Sequence, residues 1–192
     1  MHQRLATIRL VTENFRELQG LRLAGVGALN AVAFSGWLLF APAGTLQWLL
    51  LVVCLVQGFL TPGLNHYYES RFGVVEGGAW NTKVVVGAGL VAAVILTLHR
   101  PSFGAVFVPF AALHLWSVVR DFPHRSYHLI AAAGAFAAIA IAASADPLGP
   151  DRSLAIAVLI HGLSLIVPGL LDHRLLVRTM GRRAPADNPT VV

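Results

Sequence analysis

Residues 23–68 read LAGVGALNAVAFSGWLLFAPAGTLQWLLLVVCLVQGFLTPGLNHYY, 46 residues without one Asp, Glu, Lys or Arg. At 1.5 Å of rise per residue, roughly 20 residues carry a helix across the ~30 Å hydrocarbon core of a bilayer. The stretch is about twice that long and is broken at Ala41-Pro42-Ala43-Gly44-Thr45. It therefore reads as two crossings joined by a tight turn. Four more uncharged runs follow, Val84–His99, Pro101–Val119, Ser126–Ala145 and Ser153–Leu171. The expected spans are 22–41, 45–63, 83–100, 102–119, 126–145 and 152–171. The fold expected is an all-α integral membrane protein, a six-transmembrane helix bundle.

Composition agrees. Only 12% of the residues are charged, about half the fraction usual for a soluble domain, and the mean hydropathy is +0.69. Six crossings leave ends and loops too short for a separate soluble domain. The chain divides into a cytoplasmic amphipathic segment, 1–20, a transmembrane domain, 21–174, and a basic tail, 175–192, expected to be disordered. In the first segment Leu5, Ile8, Phe15 and Leu18 recur at helical spacing opposite Arg4, Arg9 and Arg16, as in a helix lying on the inner leaflet. No cleaved signal peptide is expected, since the first apolar run exceeds the length of a signal h-region. The net charge of +5 reads as orientation signals and contacts to anionic headgroups rather than nucleic-acid binding. Cys54 stands alone within the second run, so no disulfide forms and a small apolar core residue is expected there.

The basic residues orient the bundle. With the N-terminus inside, Arg4, Arg9, Arg16, Arg22, Arg71, Lys83, Arg120, Arg125, Arg174, Arg178, Arg182 and Arg183 all lie on the cytoplasmic side, and only Arg100 and Arg152 lie outside. Short loops rich in Lys and Arg resist translocation, so both termini are expected in the cytoplasm of a cell inner membrane. Trp37 and Trp48 then fall at the outer boundary, and Trp80 and Trp116 at the inner one, where an indole is best solvated.

Short outer connections make three antiparallel hairpins. The second and sixth spans share an ending, Thr61-Pro62-Gly63-Leu64-Asn65-His66 and Val167-Pro168-Gly169-Leu170-Leu171-Asp172-His173. Pro-Gly reads as a helix terminator in both, and the match suggests a repeat of hairpins. In the fifth span Gly134, Ala138 and Ala142 form a small-residue stripe. It is expected to pack within the bundle, with a homo-oligomer contact as the alternative. Ile139 is expected to face lipid.

The chain carries no HExxH, CxxC, P-loop, dinucleotide-binding glycine pattern or nucleophile elbow, which removes the usual marks of an enzyme. No cofactor is expected. Among eight histidines, His114 and His161 lie within spans. They are the candidates for holding haem or a metal, and interhelical hydrogen bonding is the expectation preferred for both. Asn30 and Gln57 are further polar positions at bundle depth. His66, Tyr67, Tyr68, Glu69, Arg71, Asp172, His173 and Arg174 gather aromatic and charged groups at the inner face, a candidate surface for a headgroup or a membrane or cytoplasmic protein partner. The role expected is a non-enzymatic accessory or interaction protein. A small-solute transporter or permease is the alternative, and a haem- or metal-binding redox protein the third reading.

Overall fold

A computed structural model describes residues 15, 18–42, 44–72, 103–144 and 149–180. The described residues are all-helical. Helix α1 is Gly20–Phe40, α2 is Leu46–Phe72, α3 is Val108–Asp121, α4 is His128–Ala143 and α5 is Pro150–Met180. A short 3-10 helix, Phe103–Phe107, leads into α3. Three of these helices, α1, α2 and α5, are long and apolar enough to cross a membrane, and α4 is a shorter apolar helix. The expected span 83–100, most of segment 1–20 and the tail beyond Met180 lie outside the described residues.

The first turn forms where it was expected. Gly44 takes φ +84°, a backbone conformation that costs a side chain energy and glycine nothing. Trp37 Nε1 donates to Thr45 Oγ1 at 2.9 Å, and Thr45 Oγ1 donates to the Pro42 carbonyl at 2.8 Å. Trp37 is buried by this pin, whereas Trp48 is largely exposed.

Both Pro-Gly sites depart from expectation. Pro62 lies inside α2 and Pro168 inside α5. Neither ends its helix. Proline removes one N–H donor and crowds the preceding turn; at Pro168, among the fully buried side chains, surrounding packing offsets that cost, whereas Pro62 is exposed. Helix α5 continues to Met180, six residues into the segment read as a tail. Phe15 and Leu18 are buried with Tyr68 and Leu176 in a cluster flanked by Tyr67, Phe72 and Leu175. The helix extensions and the chain before α1 thus share one apolar core.

Helix α5 is the centre of the bundle, with α1 packed along one side and α4 along another. The α1 contact is a small-residue seam. Gly20, Ala24, Gly27 and Ala31 recur at helical spacing and are buried. A methyl group added at Gly27 would sit 2.5 Å from the Gly162 carbonyl oxygen, and one at Gly169 would sit 2.5 Å from the Ala24 nitrogen. Bare backbone is what lets the two helices meet. Gly134 on α4 likewise faces Ser164 on α5, and Ala138 is buried with Ala157 and Phe107. The fifth-span stripe packs within the chain, leaving Ala142 partly exposed.

Ile139, expected to face lipid, is partly buried and packs on the Phe107–Ala138–Ala157 cluster, and its carbonyl approaches Gly104. Cys54 is exposed rather than in the core. It lies on α2, whose Trp48, Leu51, Val52, Leu55 and Phe59 are also exposed.

The seam predicts opposite outcomes for two glycines of α1. A methyl group added at Gly36 would meet nothing within 4 Å, so Gly36→Ala should be neutral or stabilise by up to ~1 kcal/mol through helix propensity. Gly27→Ala should destabilise by ~1–3 kcal/mol through backbone overpacking. Thermal unfolding of both variants in mild detergent measures the difference.

Candidate functional site

The turn between α3 and α4, residues 122–127, carries a cis Phe122–Pro123 bond and brings Arg125 inward. Arg125 is 2% exposed and its partner Asp172, on α5, is 0% exposed. Arg125 Nε donates to Asp172 Oδ1 at 3.2 Å, and Nη2 donates to Oδ2 at 2.8 Å. This is the forked geometry that a guanidinium offers a carboxylate. Arg125 Nη1 also donates to Asp121 Oδ2 at 3.3 Å. Arg120 grips the same carboxylate through Nε at 2.9 Å and Nη2 at 2.7 Å. Two guanidinium groups and two carboxylates balance in charge, as burial at the end of an apolar bundle requires.

Tyr127 and His128 complete the shell. Tyr127 Oη donates to Asp172 Oδ1 at 2.6 Å, and His128 Nε2 stands 3.0 Å from Asp172 Oδ2. A carboxylate only accepts and a guanidinium only donates, so the Nε2-protonated tautomer of His128 donates to Asp172, and the Nδ1-protonated tautomer accepts from Arg125 Nη2, 2.9 Å from the same nitrogen. His128 Nδ1 lies 3.1 Å from His114 Nδ1, and one of the two donates to the other. His114 Nε2 is left buried and, among the described residues, without a hydrogen-bond partner.

His161 sits beside this chain. Its ring centroid is 6.3 Å from that of His114, 5.4 Å from that of Phe107 and 5.1 Å from that of Phe110. Both its nitrogens lack partners among the described residues, so the expected hydrogen bond from His161 to another helix is not found among them. His114 makes its bond to His128. No three His, Cys, Asp or Glu side chains converge as a metal site among the described residues.

A cavity of about 420 Å³ opens over the cluster, lined by Gln57 and Thr61 of α2, His114 and Ser117 of α3, Arg22 of α1, and by Arg125. That volume lies in the range of small-molecule sites. Gln57 Nε2 donates to Asn30 Oδ1 at 3.0 Å, an interhelical pin of the kind expected of both residues.

The chain was compared with known protein families, curated proteins and solved structures. It matches none of them.

The inner-face surface read from sequence divides in two. His66, Glu69, Arg71 and Arg174 are exposed, while Tyr67 and His173 are half-buried. Tyr68 and Asp172 are not surface residues, each being 0% exposed. Because α2 runs on through Pro62, Tyr68 Oη reaches α1 and accepts from Leu21 N–H at 3.0 Å. That satisfies one of the unpaired donors of a helix N-terminus. The same hydroxyl lies 2.9 Å from His173 Nδ1 and donates to it. Arg71 lies 6.0 Å from the centroids of the Tyr67 and Phe72 rings.

Sequence reasoning missed Asp121, Arg125, Tyr127 and His128 as a group and treated the arginines as orientation charges. One signal was present: Asp121 and Arg125 are four residues apart, the spacing of a helical ion pair.

Removing one partner of this buried pair should cost far more than removing both. Arg125→Met or Asp172→Leu alone should destabilise by ~3–5 kcal/mol by stranding a charge. The double variant should lose clearly less than the sum of the two. A double-mutant cycle of detergent melting temperatures checks this, and strict additivity would contradict the coupling.

Proposed function

We propose that the protein is a six-span protein of the cytoplasmic membrane, with both termini inside, that binds a small polar solute within its bundle and does no covalent chemistry of its own. The observation that carries the solute reading is the cavity lined by the polar side chains of His114, Gln57, Thr61, Ser117 and Arg22. Lipid cannot satisfy such groups, so polar side chains at bundle depth mark a solute site or pathway. This favours the transporter or permease class over redox chemistry.

Helix lengths support six spans. The 14 residues of α3 give roughly 21 Å, and the five residues of the 3-10 helix before it add roughly 10 Å. Together they come close to the ~30 Å of a hydrocarbon core. The exposed apolar face of α2 needs lipid or other apolar protein surface to cover it. The accessory role keeps one support, the exposed His66, Glu69, Arg71 and Arg174 at the ends of α2 and α5, which suit anionic headgroups or a protein partner.

The orientation predicts labelling. In a Cys54→Ala background, cysteine at Pro42 or Asp151 should react with an impermeant thiol reagent added to intact cells. Cysteine at Glu69 or Arg178 should react only after lysis; the reverse pattern would refute the topology. The solute reading predicts that members of a panel of small polar solutes raise the melting temperature of the purified protein in a concentration-dependent way. Thr61→Trp, which fills the cavity from α2, should abolish that shift. A panel without effect on the wild-type protein would sink the reading.

A further inference from the structure

We propose that the cavity takes an amphiphile, an apolar chain ending in one carboxylate or phosphate, and that Arg22 and Gln19 hold its anionic end. The inference deepens the solute reading and rests on it.

The cavity has two unlike ends. Helices α1 and α5 run antiparallel, since Gly20 meets Gly169 and Asp172 while Gly27 meets Gly162 and Leu165. Gln19 and Arg22 therefore stand level with Asp172, and Val26 stands level with Leu165. The α3 side is ordered the same way. Arg125, beyond the end of α3, pairs with Asp172, whereas Phe110 packs on His161, one turn from Leu165. One end of the lining is thus Gln19, Arg22, Arg125 and Asp172, and the other is Val26, Phe110, Leu113 and Leu165. Apolar walls with a few placed polar groups are the ordinary make-up of a site for an organic ligand.

The sign of the polar end follows from which charges are already spent. Asp172 accepts from Arg125 through both oxygens and from Tyr127 Oη, so its charge and that of Arg125 offset one another in place. Arg22 is half-buried and makes no ion pair among the described residues. Its side-chain bond, from Nη1 to Gln19 Oε1, is long at 3.5 Å. Gln19 is 7% exposed, and its amide N–H groups have no partner among the described residues. A carboxylate or phosphate brings both acceptor oxygens and the missing negative charge to these two side chains. The backbone at the start of α1 does not compete for it. The N–H groups of Gly20, Leu21 and Arg22 already donate to the Leu18 carbonyl, Tyr68 Oη and the Gln19 carbonyl.

The rest of the wall accounts for the apolar chain. Thr61 donates to the Gln57 carbonyl, Ser117 to the Leu113 carbonyl, and Gln57 to Asn30. Unspent donors therefore concentrate at Gln19 and Arg22. A chain running from Arg22 toward Phe110 and Leu165 breaks none of these bonds and covers Leu23, Val26 and Leu113.

The test uses the full chain in phosphatidylcholine nanodiscs near pH 7.5, with equilibrium dialysis of labelled octanoate measured against empty nanodiscs. Octanoate should bind saturably and at least about a hundredfold more tightly than acetate, because its extra methylenes leave water. Octanol and octylammonium should bind about tenfold more weakly than octanoate, since neither puts an anion beside Arg22. Arg22→Gln should weaken octanoate about tenfold and leave octanol unchanged, and Arg22→Lys should recover part of the loss. Phosphatidylglycerol in the nanodisc that displaces octanoate from the wild type, but not from Arg22→Gln, would assign the site to a bilayer lipid. Octanoate bound equally with and without that lipid would assign it to a free monocarboxylate. Acetate, octanol or octylammonium binding as tightly as octanoate would overturn the proposal and leave the solute reading standing. So would octanoate binding unchanged in Arg22→Gln. Absence of binding by these probes and by every small polar solute would remove both.

Discussion

The pairing of Arg125 with Asp172 is the contact on which this end of the bundle depends. It joins a turn to a helix 47 residues further on, and both side chains are almost fully enclosed. An isolated charge so placed would cost several kcal/mol in desolvation. The pair is tolerated because each lone pair and each N–H on the facing edges has somewhere to go: Tyr127 and His128 on Asp172, Asp121 on Arg125. Once formed, the pair fixes the orientation of α3 and α4 against α5. Apolar packing could not do this alone, because the faces of α4 are nearly uniform in alanine and specify rotation weakly.

The two internal prolines matter for the same region. Had α2 and α5 stopped at Pro62 and Pro168, Tyr68, Asp172 and His173 would lie on loose chain at the membrane surface. By continuing, the helices carry all three into register. Tyr68 then caps α1 through Leu21 N–H, and Asp172 meets Arg125. Gly169, next to Pro168, passes close to Gly20 and Ala24. One short stretch of α5 therefore fixes both α1 and the α3–α4 turn. Its side-chain economy is clear in the alternation of Pro168 and Gly169, which pack, with Asp172, which pairs.

The apolar runs were legible because lipid exposure demands long uncharged stretches, and the apolar helices α1, α2, α4 and α5 emerge from them directly, three of them long enough to cross a membrane. The tight turn at Pro42–Thr45 was legible for its glycine and proline. Helix ends were not, since Pro-Gly terminates helices in most soluble contexts and only tertiary burial at Pro168 decides otherwise. The inner-face residues were partly legible. Type and depth placed Tyr68, Asp172 and His173 together, but sequence carries no sign of which charge is enclosed. Arg125 resembles Arg71 in composition of its surroundings, and only the fold buries the first and exposes the second. Likewise His114 and His161 look alike in sequence, both isolated in apolar spans. His128 supplies a partner for one and leaves the other among phenylalanine rings.

That difference bears on why the polar cluster exists. Buried ion pairs add little stability relative to well-packed apolar residues of similar volume, so a hydrophobic turn and an apolar residue in place of Asp172 would hold α3, α4 and α5 at least as firmly. What an apolar core could not supply is a hydrogen-bonded path, Asp172 to His128 to His114, ending on a residue of a cavity wall. A cluster needed only for orientation would gain from satisfying that last nitrogen inside the protein, since a buried unpaired acceptor costs ~1–3 kcal/mol. Arg125 and Asp172 would then be sufficient without His114. The unsatisfied end of the chain, rather than the ion pair that anchors it, is the feature that structural economy leaves unexplained.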